Sequence, residues 1–304
     1  MRQKVLAAAE ALGYEPDFIA KSLRSGMTRS VGFVVRDISN PLFADIAKGA
    51  EDALRQAGYS MVLTNSEGDP DLDARYIVLL RQRRVDALIL ALESESHPST
   101  LEALRNFSGP LVLLDREVPS LTASAVLCDH CSGVRDAIDH LLAMGHRRTG
   151  LVAGPTAIRV TRERLRGYME AHENRGVRTH DHLIRLGAYT KEFGYDQTLA
   201  LLQLPDPPTA ILAAGVQLAY GVLLALHERG LKVGRDIAFV TCDEVDLMRV
   251  FDPPISAVTR DATMLGERAA NVLVDMLVKG APPRVEHLPT KYVARGTTIP
   301  PVRD

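Results

Sequence analysis

The chain has 304 residues, of which 46% are hydrophobic and 24% charged, and its formal net charge at pH 7 is −2. This composition predicts a soluble globular protein of two domains or one bilobal unit. The chain lacks the strong net positive charge that would indicate a surface for nucleic acid or membranes. The apolar runs are shorter than the roughly 18 residues of a membrane span, and three cysteines are too few for a disulfide framework. We therefore expect a cytoplasmic protein with no membrane partner.

Two short helices are predicted ahead of the first strand. Apolar residues recur at helical spacing across residues 2–12, and Gly13 follows as a stop signal. A second helix is predicted over residues 17–23, with Asp17 as its N-cap and Leu23 on its apolar face. The basic residues of this helix and of the linker after it are Lys21, Arg24 and Arg29. From the residues alone, the segment is either a linker helix that packs on a partner subunit or an element that contacts DNA.

From residue 31 onward, apolar strand-like runs alternate with amphipathic segments. The runs lie at 31–35, 60–64, 86–92, 110–115 and 124–129, and in a second series at 149–154, 183–187, 209–214, 236–243 and 291–294. Continuous apolar strands separated by helices indicate parallel sheets covered on both faces, and two series indicate two doubly wound lobes. We therefore predict an α/β fold of two doubly wound parallel-sheet lobes, with a ligand cleft at the carboxyl ends of the strands.

The motifs of common nucleotide-dependent and hydrolytic enzymes do not occur in this sequence. No GxGxxG follows a predicted strand, and there is neither a GxSxG elbow nor a phosphate-loop lysine. Cys128 and Cys131 form one CxxC, but a zinc site needs a second pair of ligands and only Cys242 is left. We expect no enzyme activity, no cofactor and no metal, and we interpret the cysteines as structural.

Several segments resemble the LacI/GalR (lactose-repressor) family of bacterial transcriptional regulators. They are YEPDFIAKSLRSGMTRSVGF at 14–33, DISNPLF at 37–43, GHRRTGLVAGP at 145–155 and ERLRGY at 163–168. The resemblance implies a periplasmic-binding-protein-like core, with residues 31–127 and 261–287 in the N-terminal lobe and residues 128–260 and 288–304 in the C-terminal lobe. Residues 1–30 would form a headpiece remnant and a hinge helix.

The resemblance also implies a DNA-binding element at the start of the chain. The helix over residues 2–12 is similar to the third helix of the family's headpiece, so the first two headpiece helices would lie upstream of Met1. The hinge helix would lie in the minor groove of operator DNA, with Leu23 as a wedge between base pairs. The residues expected to face phosphates are Lys21, Arg24 and Arg29. Because family members dimerise through the core, we expect a homodimer.

An effector site between the lobes is the third implication of the resemblance. Its expected residues are Asn40, Phe43, Asp115, Arg116, Arg164, Asp243 and Arg260. Arg164 lies in the ERLRGY motif, and its fork would suit a diol or a carboxylate, although an arginine at this spacing also suits a helix surface. Asp243 ends an apolar strand, where it would contact the ligand or cap the following helix.

Two departures from the family pattern change the expected charge of the cleft. Gly215-Val216 stands where the family usually has Asn-Asp, and Arg260 stands where it usually has a neutral polar residue. Together with Arg116 and Arg164, these departures would make the cleft positive. We therefore hypothesise an anionic effector, such as a sugar acid, a sugar phosphate or another small carboxylate.

The resulting prediction is a ligand-responsive transcriptional regulator, acting as a repressor. Its cleft would bind a small sugar-like or anionic metabolite and control operator binding. The alternative is a soluble small-molecule binding protein of the sugar type, with no DNA-binding activity. A secretion signal would favour this alternative, but Glu10 and Glu15 interrupt the N-terminal segment and we do not expect one.

Overall fold

Two α/β lobes make up residues 26–301, the part of the chain that the computed structural model describes. The chain first runs through β1 (Ser30–Val35), α1 (Pro41–Gln56), β2 (Ser60–Asn65), α2 (Pro70–Gln82), β3 (Ala87–Leu90), α3 (Pro98–Arg105), β4 (Leu111–Leu114) and β5 (Ser124–Cys128). It continues through α4 (His130–Ala143), β6 (Thr149–Ala153), α5 (Arg159–Asn174), a 3-10 turn (Asp181–Leu183), β7 (Ile184–Leu186), α6 (Lys191–Leu202), β8 (Ala210–Ala213), α7 (Val216–Glu228), β9 (Ala238–Cys242), α8 (Asp246–Val250) and β10 (Ser256–Thr259). It ends with α9 (Ala262–Lys279), β11 (Val285–Leu288) and β12 (Lys291–Val293).

Each lobe is built on a six-stranded sheet, and the two sheets have the same strand order. The first sheet is β11-β5-β4-β3-β1-β2 and the second is β12-β10-β9-β8-β6-β7. Neighbouring strands pair in parallel, except that β12 pairs antiparallel with β10 at the edge of the second sheet. The prediction of an α/β fold with two parallel-sheet lobes is confirmed. The predicted helices over 2–12 and 17–23, with Lys21, Leu23 and Arg24, lie outside the described residues.

Both faces of each sheet are covered by helices, which explains why the central strands are buried and apolar along their whole length. In the first lobe, α1 and α9 cover one face and α2 and α3 the other. In the second lobe, α4 and α5 cover one face and α6 and α7 the other. The described chain passes between the sheets after β5, after β10 and after β11.

Short polar side chains fix the start of the helices that follow these crossings. The Asp129 carboxylate accepts from the Ser132 N–H at 3.1 Å at the start of α4. The Asp261 carboxylate accepts from the Met264 N–H at 2.8 Å at the start of α9. Caps of this kind typically contribute about 1 kcal/mol. They define where the chain leaves one sheet and enters the helical layer of the other.

Four elements were not predicted from the sequence, namely α3, α8, β10 and β11. The two helices are short, with eight and five residues. The strand β11 lies at an edge and is half-exposed, with Val285 54% accessible, so its pattern is not that of a buried strand. Within residues 26–301, no helix combines the length and apolarity needed to cross a membrane.

We expect Gly266→Ala to destabilise the first lobe, although alanine is about 1 kcal/mol better than glycine inside a helix. A Cβ at Gly266 of α9 would lie 1.9 Å from the Ile46 carbonyl oxygen of α1. Because this oxygen belongs to a packed helix backbone, we expect the clash to prevail by about 2–3 kcal/mol. Urea unfolding measures the change.

Gly230→Ala is the matched control for this substitution. Gly230 follows α7 with φ of 71° and has open space around its α-carbon, so only the left-handed backbone opposes the change. That cost is about 1 kcal/mol. A urea midpoint that rises in Gly266→Ala would contradict the packing of α1 on α9.

Candidate functional site

The carboxyl ends of strands from both sheets meet around a small cavity. Its volume is about 60 Å³, which is room for a few water molecules. Apolar side chains from α1 and from the start of α5 form part of the wall: Leu42, Phe43, Ile46, Ile158 and Val160. The charged side chains of the wall are Arg36, Asp115, Arg116, Arg164, Asp243 and Arg260. A dense set of charges thus lies where the lobes meet.

Asp115 and Asp243 occupy equivalent positions in the two lobes. Asp115 directly follows β4 and Asp243 directly follows β9, and their backbone φ angles are 51° and 66°. Positive φ is uncommon for residues other than glycine. The N–H groups of Asp115 and Asp243 donate to the carbonyl oxygens of Val126 and Val258, each at 2.9 Å. The two carboxylates therefore approach each other from the ends of matching strands.

Arg260 lies between these two carboxylates. It follows β10, and its Nε donates to Asp243 Oδ1 at 2.7 Å while its Nη1 donates to Asp115 Oδ2. The Arg260 side chain is only 7% exposed. The positive charge that the sequence led us to expect from Arg260 is therefore matched by two carboxylates, one from each lobe.

Arg164 of α5 reaches the same cluster from the second lobe. Its Nη2 donates to Asp243 Oδ2 at 2.8 Å, and its Nη1 donates to the Ala214 carbonyl oxygen at 2.7 Å. Its Nε is buried and has no hydrogen-bond partner among the described residues. A buried donor without an acceptor costs about 1–3 kcal/mol. The free N–H of this cavity-lining side chain is thus a ready donor for a ligand acceptor.

Both carboxyls of the cluster are ionised. Burial opposes ionisation of Asp243, but Arg260 and Arg164 outweigh it and hold its pKa well below the usual range. For Asp115, burial is likewise outweighed by His130, Arg260 and the Cys128 N–H, which lower its pKa. Burial lowers the pKa of His130 to about 4, so at neutral pH Arg260 supplies the positive charge beside Asp115.

The three remaining residues predicted for the site also line the cavity. Arg116 is held by backbone oxygens, since its Nη1 donates to the Asp115 carbonyl at 3.0 Å and its Nε to that of Leu92. Asn40 caps α1 by accepting from the Leu42 N–H at 3.2 Å. Phe43 packs on the core of the first lobe. The structure brings all seven predicted residues together, and their contact with a ligand stays a prediction.

Tyr189 and Arg36 line the cavity but were not predicted from the sequence. The Arg36 guanidinium lies 5.3 Å from the centre of the Tyr189 ring, and its Nε pairs with Glu93. A Cβ at Gly154 would lie 2.0 Å from that ring and one at Gly215 would lie 3.1 Å from it. Small residues at the ends of β6 and β8 are the sequence signal that a bulky group packs there. The departure at Gly215 thus makes room for an aromatic wall.

Three further hydrogen bonds also join the lobes. Gln217 Nε2 of α7 donates to Asp37 Oδ2 at 3.1 Å. On the other side, Glu95 accepts from the Arg159 N–H at 2.8 Å and from Arg162 Nη2 at 2.7 Å. The lobes are therefore closed on each other.

Comparisons with known proteins agree with this architecture. Residues 138–298, more than half of the chain, match the family model of a periplasmic binding protein-like domain. The HTH-type transcriptional repressor PurR of Haemophilus influenzae is 31% identical over 277 residues, which cover 90% of this chain and 82% of the relative. The chain belongs to the LacI/GalR family.

Two solved structures of the family are also similar. A putative ribose operon repressor from Burkholderia thailandensis is 31% identical with a TM-score of 0.80, covering 87% of this chain and 98% of that one. A LacI family transcriptional regulator from Enterococcus faecium, solved with bound ribose, is 27% identical with a TM-score of 0.78, covering 89% and 99%. These LacI/GalR relatives are regulators, which confirms the prediction of a ligand-responsive transcriptional regulator.

One buried group in this LacI/GalR core has the residue types of a metal site. The ligand atoms of Asp115, Cys128 and His130 lie within 4.8 Å of one another. However, Arg260 Nη1 bonds to this aspartate and lies 3.7 Å from Cys128 Sγ, so a cation is already present. Burial, followed by the nearby Asp115 carboxylate, raises the pKa of the Cys128 thiol to about 12. A protonated thiol beside a guanidinium is a poor metal ligand.

Among the residues predicted to contact DNA, Arg29 lies in the described part of the chain. Its side chain is exposed and lies 5.2 Å from the centre of the Tyr59 ring. Its carbonyl oxygen accepts from the Ser60 N–H at 2.8 Å, which joins the start of β1 to β2. Arg29 is therefore anchored by its backbone while its charge faces solvent.

Acidification should destabilise the wild-type chain more steeply than the variant His130→Gln. The pKa of His130 is about 4 in the folded chain, because burial outweighs Asp115, and about 6.5 in the unfolded chain. Between these values the unfolded state binds more protons, so the free energy of unfolding decreases as pH falls. From pH 7 to pH 5 the loss due to His130 is about 2 kcal/mol, measurable by urea unfolding.

His287→Gln, at an exposed position of β11, is the matched control and should keep the wild-type pH dependence. Equal pH dependences for wild type and His130→Gln would contradict a neutral buried His130.

Proposed function

We propose that the cleft binds a small sugar-like or anionic metabolite, and that ligand occupancy controls the affinity of this LacI/GalR repressor for operator DNA. The observation that carries the proposal is the Arg164 fork. Two of its donors are held by Asp243 and a backbone oxygen, and its buried Nε has no partner among the residues described. An arginine fixed in this way presents its remaining donor without further loss of side-chain entropy.

A ligand of this site would alter the balance between open and closed lobes. The cavity of about 60 Å³ has room for only a few water molecules, so we expect the lobes to move apart when a sugar-sized ligand binds. A ligand then shifts the population according to its different affinities for the two arrangements. We propose that residues 31–127 with 261–287 and residues 128–260 with 288–304 move as the two lobes, and that a cytoplasmic homodimer conveys this movement to its hinge segments.

The ligand in the Enterococcus faecium relative is ribose, which supports a ligand of sugar size for this cleft. The mixture of carboxylates and guanidinium groups also suits a polyol, whose hydroxyls both donate and accept. A binding protein with no DNA-binding activity is the alternative function. DNA binding separates the two functions, because only the regulator needs it.

We expect Arg164→Lys to weaken ligand binding at least tenfold. A lysine ammonium cannot reproduce the fork that bonds Asp243, the Ala214 oxygen and a ligand together. The measurement is thermal stabilisation by a panel of neutral sugars and sugar acids, followed by calorimetry on those that bind. Arg166→Lys, on the exposed side of the same helix, should bind as wild type does. Equal affinities in wild type and Arg164→Lys would contradict a ligand site at this arginine.

DNA binding should show the salt dependence of several phosphate contacts. In fluorescence anisotropy on mixed-sequence duplex DNA, each neutralised phosphate adds about 0.9 to the slope of log affinity against log salt. We expect Lys21→Ala and Arg24→Ala each to lower this slope by about 1. Arg235→Ala, on the exposed surface of the second lobe, should leave it unchanged. No binding at low salt would favour the alternative function.

A further inference from the structure

We propose that Arg260 determines the ligand class of the cleft, by selecting an effector with a carboxylate or phosphate group over a neutral sugar. This inference rests on the proposed function, because it names the ligand of the same cleft. Its starting point is the position of the Arg260 guanidinium between carboxylates of opposite lobes.

Each carboxylate oxygen of the cluster already accepts at least one hydrogen bond from the protein. Asp115 Oδ1 accepts from the Cys128 N–H at 2.6 Å, and Oδ2 accepts from Arg260. Asp243 Oδ1 accepts from Arg260 and Oδ2 from Arg164. In contrast, Arg164 Nε is a buried donor without a partner in the described chain. The site therefore has a buried donor to spare, which favours a ligand that brings an acceptor.

The charges of the cavity are matched while the lobes are closed. Among the described residues, its lining includes the four arginines Arg36, Arg116, Arg164 and Arg260 and the two aspartates Asp115 and Asp243. Outside the lining, Glu93 pairs with Arg36, and Glu93 and Glu95 both stabilise the charge of Arg116. Arg260 depends on the two lining aspartates, and losing either of them would leave part of a buried positive charge without a counter-ion. That loss is costly, and an anionic ligand would offset it.

Lobe opening should increase the difference in affinity between acidic and neutral ligands. Since Asp115 and Asp243 belong to different lobes, Arg260 can follow only one of them when the lobes separate. A ligand carboxylate or phosphate can take the place of the lost partner. A neutral hydroxyl cannot, because it leaves the guanidinium with only part of its counter-charge.

Arg260 has space to adjust to such a ligand. A second recess of about 430 Å³ lies beside it, and Asp243 and Arg260 form part of the wall of both spaces. The recess also carries Asp45 and Asp261, which would repel an anion. The acidic group of the ligand therefore belongs on the inner side, next to Arg164.

The test compares pairs of compounds that differ only in an acidic group. The pairs are D-glucuronate with D-glucose and D-ribose 5-phosphate with D-ribose, measured by thermal stabilisation and calorimetry on the full chain. We expect the wild type to bind the acidic member of each pair at least tenfold more tightly than the neutral member. Arg260→Gln keeps hydrogen-bond donors but loses the charge, so it should bind the neutral members more tightly than the wild type does. Arg260→Lys keeps the charge and should keep the acid preference.

Two results would overturn the inference. One is a neutral sugar that stabilises the wild type as strongly as its acidic partner does. The other is an Arg260→Gln variant that folds but binds neither neutral sugar more tightly than the wild type does. If Arg164→Lys abolishes ligand binding while Arg260→Gln keeps the wild-type selectivity, this inference fails and the proposed function stands. If Arg164→Lys binds as the wild type does, the proposed function fails.

A second variant covers the case in which Arg260→Gln does not fold. Asp115→Asn removes one counter-charge from Arg260 and keeps the shape of the side chain. The acidic ligands should then bind about tenfold tighter, because they supply the charge that the variant lacks. Unchanged or weaker binding of both acidic compounds would overturn the inference.

Discussion

The closed cleft depends on three charged side chains at the junction of the lobes. Arg260 donates to Asp115 on one side and to Asp243 on the other, and each of the three is at most 7% exposed. Removing an ion from water costs several kcal/mol, and only close partners offset that cost. Burial of each charged group is therefore tolerated while the three remain in contact, and it becomes costly when one of them is withdrawn. Because the aspartates belong to different lobes, lobe separation is coupled to the counter-charge of one guanidinium.

The repeat in the fold creates this arrangement. The N–H groups of the two cleft aspartates bond to Val126 of β5 and Val258 of β10, so these strands have the same register relative to the cleft. Two residues further on, the first lobe has Cys128 and the second has Arg260. The small thiol leaves space for the long side chain opposite, with 3.7 Å between Sγ and Nη1. Arginine at both positions would place two buried cations against each other. The asymmetry between the two residues thus lets one guanidinium serve both carboxylates.

Sequence patterns predicted the parts of the molecule that are determined locally. Most strands could be located because burial on both faces makes them continuously apolar, whereas the half-exposed β11 lacks that pattern. Arg164 could be found because it lies in a recognisable motif. Tyr189 and Arg36 could not, since their contact arises only when one lobe is placed on the other. The contacts of Arg260 could not be predicted for the same reason. Its charge can be read from the sequence, but its two partners lie far away in the chain and meet it only when the lobes are placed together.

The start of the described chain determines how a change in the cleft reaches the residues before Gly26. Thr28 is fixed to the first lobe, because its N–H donates to Asp86 Oδ1 at 2.9 Å. From there β1 runs as one continuous strand to Arg36, whose side chain lies against Tyr189 of the second lobe. A strand that is buried and paired on both sides is too stiff to absorb a displacement along its length. We therefore expect a change in lobe closure to carry Thr28 and the start of β1 along with the whole first lobe. In the homodimer that we propose, such a movement would change the spacing between the two copies of β1, and the spacing of paired binding elements is what DNA half-sites discriminate.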